Sequence, residues 1–271
     1  MTRAFVLVVA AVALGACSSA TGRGGDMGGG PPLPMCPAYP HGTLTLFETS
    51  SSTSMVSVFQ KAASRSCMTA TTDSCSALIF APAAGDAGMP ALTDAGVLSV
   101  SGGAMPIMQT PQSGGGYAPF HGTSPLWSGG ESITVSAAGG EVPAFAATTT
   151  APGTATLTMP AAHPTTIART SDLSLSWNGS GIGLVEVLLS AAAAGMPAVE
   201  VHCRYPLSAG HGVVPAAILG NLPAGAMGAM VMTTLTPQTV SAGGSWSVDL
   251  ALETVAVDQS GAPVSIAVTF N

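Results

Sequence analysis

From Thr43 onward the chain repeats one pattern: short segments in which apolar residues alternate with Thr or Ser, each closed by Gly or Pro. Thr43–Phe47, Val97–Ser101, Ser132–Ser136, Thr154–Met159, Leu173–Trp177, Ser247–Leu252 and Val264–Phe270 all follow it. A period of two puts one face of each segment on a core and the other in water. Val135-Ser-Ala-Ala-Gly-Gly140 and Val240-Ser-Ala-Gly-Gly244 each end such a segment in a Gly-Gly turn, where glycine takes positive φ at little cost. Helical periodicity is confined to Pro215–Leu222, enough for one turn. The prediction is an all-β protein of antiparallel strands. Roughly fifteen strands exceed one ordinary sandwich, so two β-sandwich domains are expected, residues 42–160 and 161–271, divided at the Pro-rich stretch Pro160–Pro164, with a single large sandwich as the alternative.

The first forty residues break this pattern. Arg3 precedes an uncharged apolar run, Ala4–Leu14, which leads into Gly15-Ala16-Cys17. A positive residue, a short apolar run and small residues before a cleavage point make a secretory signal. The run is shorter than the roughly 20 residues a membrane-spanning helix needs. Leu14-Gly15-Ala16-Cys17 resembles the bacterial lipobox, which implies a signal peptide over residues 1–16 and acylation of Cys17 by chains such as palmitate. Two or three acyl chains anchor stably, where one alone is marginal. Ser18 and Ser19 stand where many such proteins carry an inner-membrane retention aspartate. By that resemblance the outer membrane is favoured, facing either the periplasm or the exterior. Residues 17–41 read as a tether. Its Ser18–Met35 part is rich in Gly, Ser and Pro and would span roughly 25 Å on average.

Composition narrows the functions. Charged residues are only 7% of the chain, with six basic against thirteen acidic. No basic patch exists to hold nucleic acid. The expected partners are the membrane, through the N-terminal lipid, and a protein or glycan that the sequence does not identify.

With Cys17 taken by lipid, Cys36, Cys67, Cys75 and Cys203 remain. In an exported chain an even number reads as disulfides. Three pairings are possible; the short polar loop between Cys67 and Cys75 favours a local bridge, leaving Cys36 with Cys203. No C-x₂-C spacing suggests a metal.

Catalytic motifs are absent. Gly179-Ser180-Gly181 lacks the context of a nucleophile elbow, and no P-loop or zincin pattern occurs. His202 and Cys203 are neighbours on one strand and face opposite sides, so they cannot share a site. The five histidines read as surface or loop residues, His211 being the best candidate for an exposed functional loop. Asp86 and Asp94, each followed by Ala-Gly, could supply calcium oxygens but read more simply as turns. Glu131 and Glu141 read as exposed or turn-capping groups. A hydrolase would need them to converge with His121 and His163. Trp177 and Trp246 read as core anchors. Trp127, between Pro125 and Gly129-Gly130, forms with Tyr117 and Phe120 the candidate binding loop. No cofactor is expected.

Two stretches, Gly130–Phe145 and Asp172–Pro223, resemble uncharacterised Ala/Gly-rich lipoproteins of high-GC Gram-negative bacteria. The second is also similar to bacterial immunoglobulin-like modules, with Trp177 on an early strand. It departs from true immunoglobulin domains, since no cysteine precedes the Trp to pair with Cys203. The resemblance implies a β-sandwich and transfers no catalytic residue. The expected function is therefore a non-catalytic binding or structural role in the cell envelope, with a secreted hydrolase or a calcium- or glycan-binding module as alternatives.

Overall fold

A computed structural model describes residues 38–62, 65–82, 91–123, 125–160 and 164–271. The signal peptide, Cys17, Cys36, Asp86 and His163 lie outside the described residues. Four strands open the body: β1 (His41–Glu48), β2 (Thr53–Gln60), β3 (Arg65–Thr71) and β4 (Cys75–Pro82). All four belong to one large sheet. Next, β5 (Leu98–Ser101) and β6 (Ile107–Gln109) start a first small sheet, β7 (Phe120–Gly122) returns to the large one, and β8 (Ser132–Ala137) and β9 (Phe145–Thr150) complete the small one.

The second half repeats this alternation. A second small sheet takes β10 (Thr154–Met159), β12 (Leu173–Ser180), β15 (His211–Val214) and β18 (Val257–Asp258). The large sheet receives β11 (Thr166–Ile167), β13 (Leu184–Ala191), β14 (Ala198–Pro206), β16 (Met227–Ala242), β17 (Trp246–Val255) and β19 (Ser265–Phe270). One helical turn, α1 (Ala216–Leu219), falls inside the expected stretch and buries Ile218 and Leu219. Every alternating segment read from the sequence is a strand. The Gly-Gly turns adopt positive φ at Gly139, Gly243 and Gly244.

The strands do not divide at residue 160 as the sequence pattern suggested. The large sheet runs β3-β4-β14-β13-β16-β17-β1-β2-β7, so N-terminal strands are bonded to C-terminal ones at two places. β4 pairs with β14, and β1 lies parallel to β17. Nor is His41 part of a tether, because it is the first residue of β1. Parallel pairing of β1 with β17 joins distant parts of the chain, and no local pattern announces such a contact.

Strand β16 explains the shape. Sixteen residues long, it pairs with β13 along Gly228–Leu235 and with β17 along Thr233–Ala242. Both small sheets pack on the same face of the large one, side by side. The first core collects Leu44, Leu46, Phe59, Leu98, Ile133, Trp127 and Trp246. The second collects Leu157, Leu175, Trp177, Val187, Val201, Met230 and Phe270. Each core therefore draws on both halves of the sequence. The chain passing from β9 to β10 is held at the middle of β16: Thr234 Oγ1 donates to Gly153 O at 2.5 Å and Thr236 Oγ1 to Thr150 O at 2.7 Å. A side chain at residue 153 would strike the Ser180 carbonyl, so glycine is required there.

The other face of the large sheet is turned inward by a curl. Only four residues join the end of β2 to the start of β3, and they span at most about 18 Å. Laid flat, the seven intervals between those strands would cover about 34 Å. The margins must therefore approach one another, with β16 as the strand shared between the two halves of the sheet. On this enclosed face Ser76, Leu78, Glu186, His202, Arg204, Thr233, Leu235 and Glu253 are all buried.

Candidate functional site

The densest chemistry among the described residues lies on that enclosed face. Strand β14 alternates Val199, Val201, Cys203 and Tyr205, which enter the second core, with Glu200, His202 and Arg204, which do not. Period two thus separates His202 from Cys203, as the sequence implied. Directly across from Arg204 is Glu186 of β13, an acid in the otherwise apolar run Leu184–Leu189. Arg204 Nε donates to Glu186 Oε1 at 2.8 Å, and His202 Nδ1 lies 3.1 Å from the same oxygen. His202 Nε2 is 3.4 Å from Glu200 Oε2. The imidazole is therefore held between two carboxylates, with the guanidinium beside them.

Glu253 of β17 completes the group from the far side of β16. It sits opposite Leu235, which in turn sits opposite Leu184. Its Oε1 is buried and has no hydrogen-bond partner, and the same holds for Ser76 Oγ, whose residue lies directly across from His202. Further along β17, Asp249 Oδ1 accepts from Thr239 Oγ1 at 2.7 Å, and Asp249 Oδ2 lies 3.1 Å from His41 Nε2 without hydrogen-bond alignment.

These surroundings separate the protonation states. Burial pushes the Glu186 carboxyl up, but the Arg204 charge and the hydrogen bond and charge of His202 outweigh it and hold it at about 2. Burial pulls His202 down, yet its bonds to Glu186 and Glu200 raise it to about 9. Glu253 has no such support. Burial, followed by repulsion from Glu186, pushes it up to about 8 against the opposing pull of Arg204 and His202. At neutral pH Glu186 is then a carboxylate, His202 an imidazolium and Glu253 a neutral acid.

None of these residues stood out as a site in the sequence. The signal that could have found them is the polar off-beat Glu200-x-His202-x-Arg204 in a strand whose other beat is apolar. The expectation that each histidine is a surface or loop residue is corrected for two of them, since His41 and His202 are buried. His211 is exposed, its Nδ1 2.9 Å from Ala209 O.

The proposed binding loop is also corrected. Trp127 is buried in the first core, and its Nε1 donates to Thr254 Oγ1 at 3.3 Å. Tyr117 and Phe120 are half-buried against the same core. The Tyr117 hydroxyl donates to Gly96 O and accepts from Ala95 N, both at 2.7 Å. These three aromatics close a core and present no open platform, because large rings contribute most where they leave water. Trp177 and Trp246 are core residues, as read.

The hydrolase constellation does not assemble from the described residues. His121 is exposed, Glu131 caps a turn by accepting from Ser128 N at 3.0 Å, and Glu141 pairs with Lys61 at 3.1 Å on the surface. Asp94 accepts from Gly96 N at 3.1 Å, a turn contact. No group of three or more metal-ligating side chains occurs among the described residues.

The disulfide pairing differs from expectation. Cys75 is bonded to Cys203, which lies directly opposite it on the neighbouring strand. Cys67–Cys75 and Cys36–Cys203 are therefore both replaced. Cys67 lies opposite Phe80, on the enclosed face and across the sheet from Cys75. It is disulfide-bonded as well. Closeness in sequence misled here: the hairpin places Cys67 and Cys75 on opposite faces.

No helix among the described residues is long and apolar enough to cross a membrane. No protein-family profile matches the chain, and neither does any curated protein. Among solved structures, the FN1–FN3 domains of chicken CNTN1 are similar at 8% identity, over 74% of this chain and 77% of that one, with a TM-score of 0.21. A superposition that loose fixes no topology for this chain.

Proposed function

We propose that the chain is a lipoprotein of the cell envelope, anchored through acylated Cys17, whose β body does non-catalytic binding or structural work. The observation that carries the reading is the Cys75–Cys203 disulfide, which ties β4 to β14 inside a core. Such bonds persist in oxidising compartments and are rare in the cytosol. An exported body supports reading Ala4–Cys17 as a lipoprotein signal. The non-catalytic part is supported by the ionisable group itself. Its charged members face one another on a closed surface, where a catalytic constellation would be presented in a cleft to substrate. Ser18 and Ser19 favour the outer membrane, and the partner is a protein or glycan.

The test uses the full chain in a Gram-negative host fed a clickable palmitate analogue. Label on the wild type, absent from Cys17→Ser, with recovery in the outer-membrane fraction, is the expected result. A mature N-terminus that mass spectrometry finds unacylated would overturn the anchor.

A further inference from the structure

We infer that Glu253 is a proton-held latch of the curled large sheet: protonated, it lets the two halves stay closed on each other, and on losing its proton it loosens them. The geometry supplies the reason. Glu186 and Glu200 are matched by His202 and Arg204: Glu186 contacts both His202 and Arg204, and Glu200 contacts His202. Glu253 is the fifth ionisable group, on the far side of strand β16, and its Oε1 has no bond to share a charge with. A buried carboxylate without a partner is among the most expensive groups a fold can hold, so the acid keeps its proton instead.

Every described element around it agrees. On the enclosed face β13 contributes Glu186, and β14 contributes Glu200, His202 and Arg204. Strand β17 adds Asp249 and β1 adds His41, which contact each other. From β16 come Thr233 and Leu235, and from β4 Ser76, none of them titrating. The described side chains of β2 and β3 on this face bring no further charge, Cys67 being disulfide-bonded. An ionised Glu253 would therefore meet Glu186 across β16 in a poorly hydrated interior where, among the described side chains, both nearby cations already face carboxylates.

The direction in pH follows. Glu253 binds its proton more tightly folded than unfolded, so the folded state loses ground as pH rises from about 4.5 through about 8. His202 works in the same direction but only above about 6.5, its ordinary value. The interval from pH 5 to 6.5 therefore excludes His202, and the Glu253→Gln variant separates Glu253 from Glu48, whose carboxyl burial also pushes up.

The experiment measures thermal unfolding of the full chain in detergent across pH 5–9, with hydrogen exchange at β13 and β17 corrected for intrinsic rates. The wild type should lose roughly 3–6 °C in Tm between pH 5 and 6.5 and gain exchange at those strands. Glu253→Gln, which keeps the shape and cannot ionise, should lose clearly less Tm than the wild type over that interval and be the more stable protein at pH 8. A wild-type profile that Glu253→Gln merely reproduces would overturn the latch. Should that variant misfold, a ¹³C titration of the Glu253 carboxyl in the wild type decides: a midpoint near 8 supports the inference and one near 4.5 ends it.

Discussion

The two faces of the large sheet solve the problem of burial in opposite ways. Toward the small sheets it carries Leu44, Leu46, Val187, Val201, Met230 and Leu250, and it gains stability by removing apolar surface from water. The enclosed face buries Glu186, His202, Arg204 and Glu253 as well as Leu78 and Leu235. Apolar packing is tolerant and additive to first order. Buried charges are neither, because each depends on its partners being in place. The same strands serve both, since β13 and β14 give alternate residues to each face. What differs is the sensitivity to conditions: the cores should respond to temperature and cavity formation, the enclosed face to pH and to single charge deletions.

The largest expected effect lies on the apolar face. Removing the bond with the pair Cys75→Ala and Cys203→Ala opens a loop with a sequence separation of 128 and should cost about 5 kcal/mol on loop-closure grounds. Equilibrium denaturation of that pair against wild type measures it. Phe270→Ala, a fully buried ring in the second core, should cost about 3–5 kcal/mol with no pH dependence between 5 and 8.

On the enclosed face Arg204→Leu should cost about 3–5 kcal/mol, because it removes the nearer of the two cations from the buried Glu186 carboxylate and leaves only His202. Adding Glu186→Leu to it should recover part of that loss. If the double variant is no better than the single, the cluster is packing and not pairing, and the contrast between the faces fails. The pH profile sharpens the same point. Glu186, held near 2, stabilises above its ordinary value and loses this as pH falls from about 4.5. Glu253 and His202 lose theirs as pH rises, so stability should peak near pH 5. The smallest effect belongs to Tyr117→Phe, which removes one hydroxyl bridging Gly96 O and Ala95 N and should cost about 1–2 kcal/mol. A binding partner lost along with that hydroxyl would restore Tyr117 to the functional surface.

Much of the fold was legible locally. Alternation in Ser132–Ser136 or Leu173–Trp177 names a strand and its buried residues, since side-chain period and burial are properties of a single segment. The Gly-Gly turns and the helical turn at Ala216–Leu219 were legible for the same reason. Of the candidate site, almost nothing was. Glu186, Glu200, His202, Arg204 and Glu253 are spread over three strands. Their meeting depends on β16 standing between β13 and β17, a register that no short window contains.

The sequence by itself determined the all-β class, the strand positions and the opposition of His202 to Cys203, because each follows from a two-residue repeat. It also carries the lipobox reading of Cys17, which depends only on contiguous residues. Tertiary structure decided that Cys75 pairs with Cys203 and not with Cys67, that Trp127 closes a core, and that the chain does not divide near residue 160. It also decided that the second face of a half-polar strand is buried. A curl forced by the short β2–β3 connection turned that face inward, and burial among these neighbours then gave Glu186, His202 and Glu253 their unequal protons.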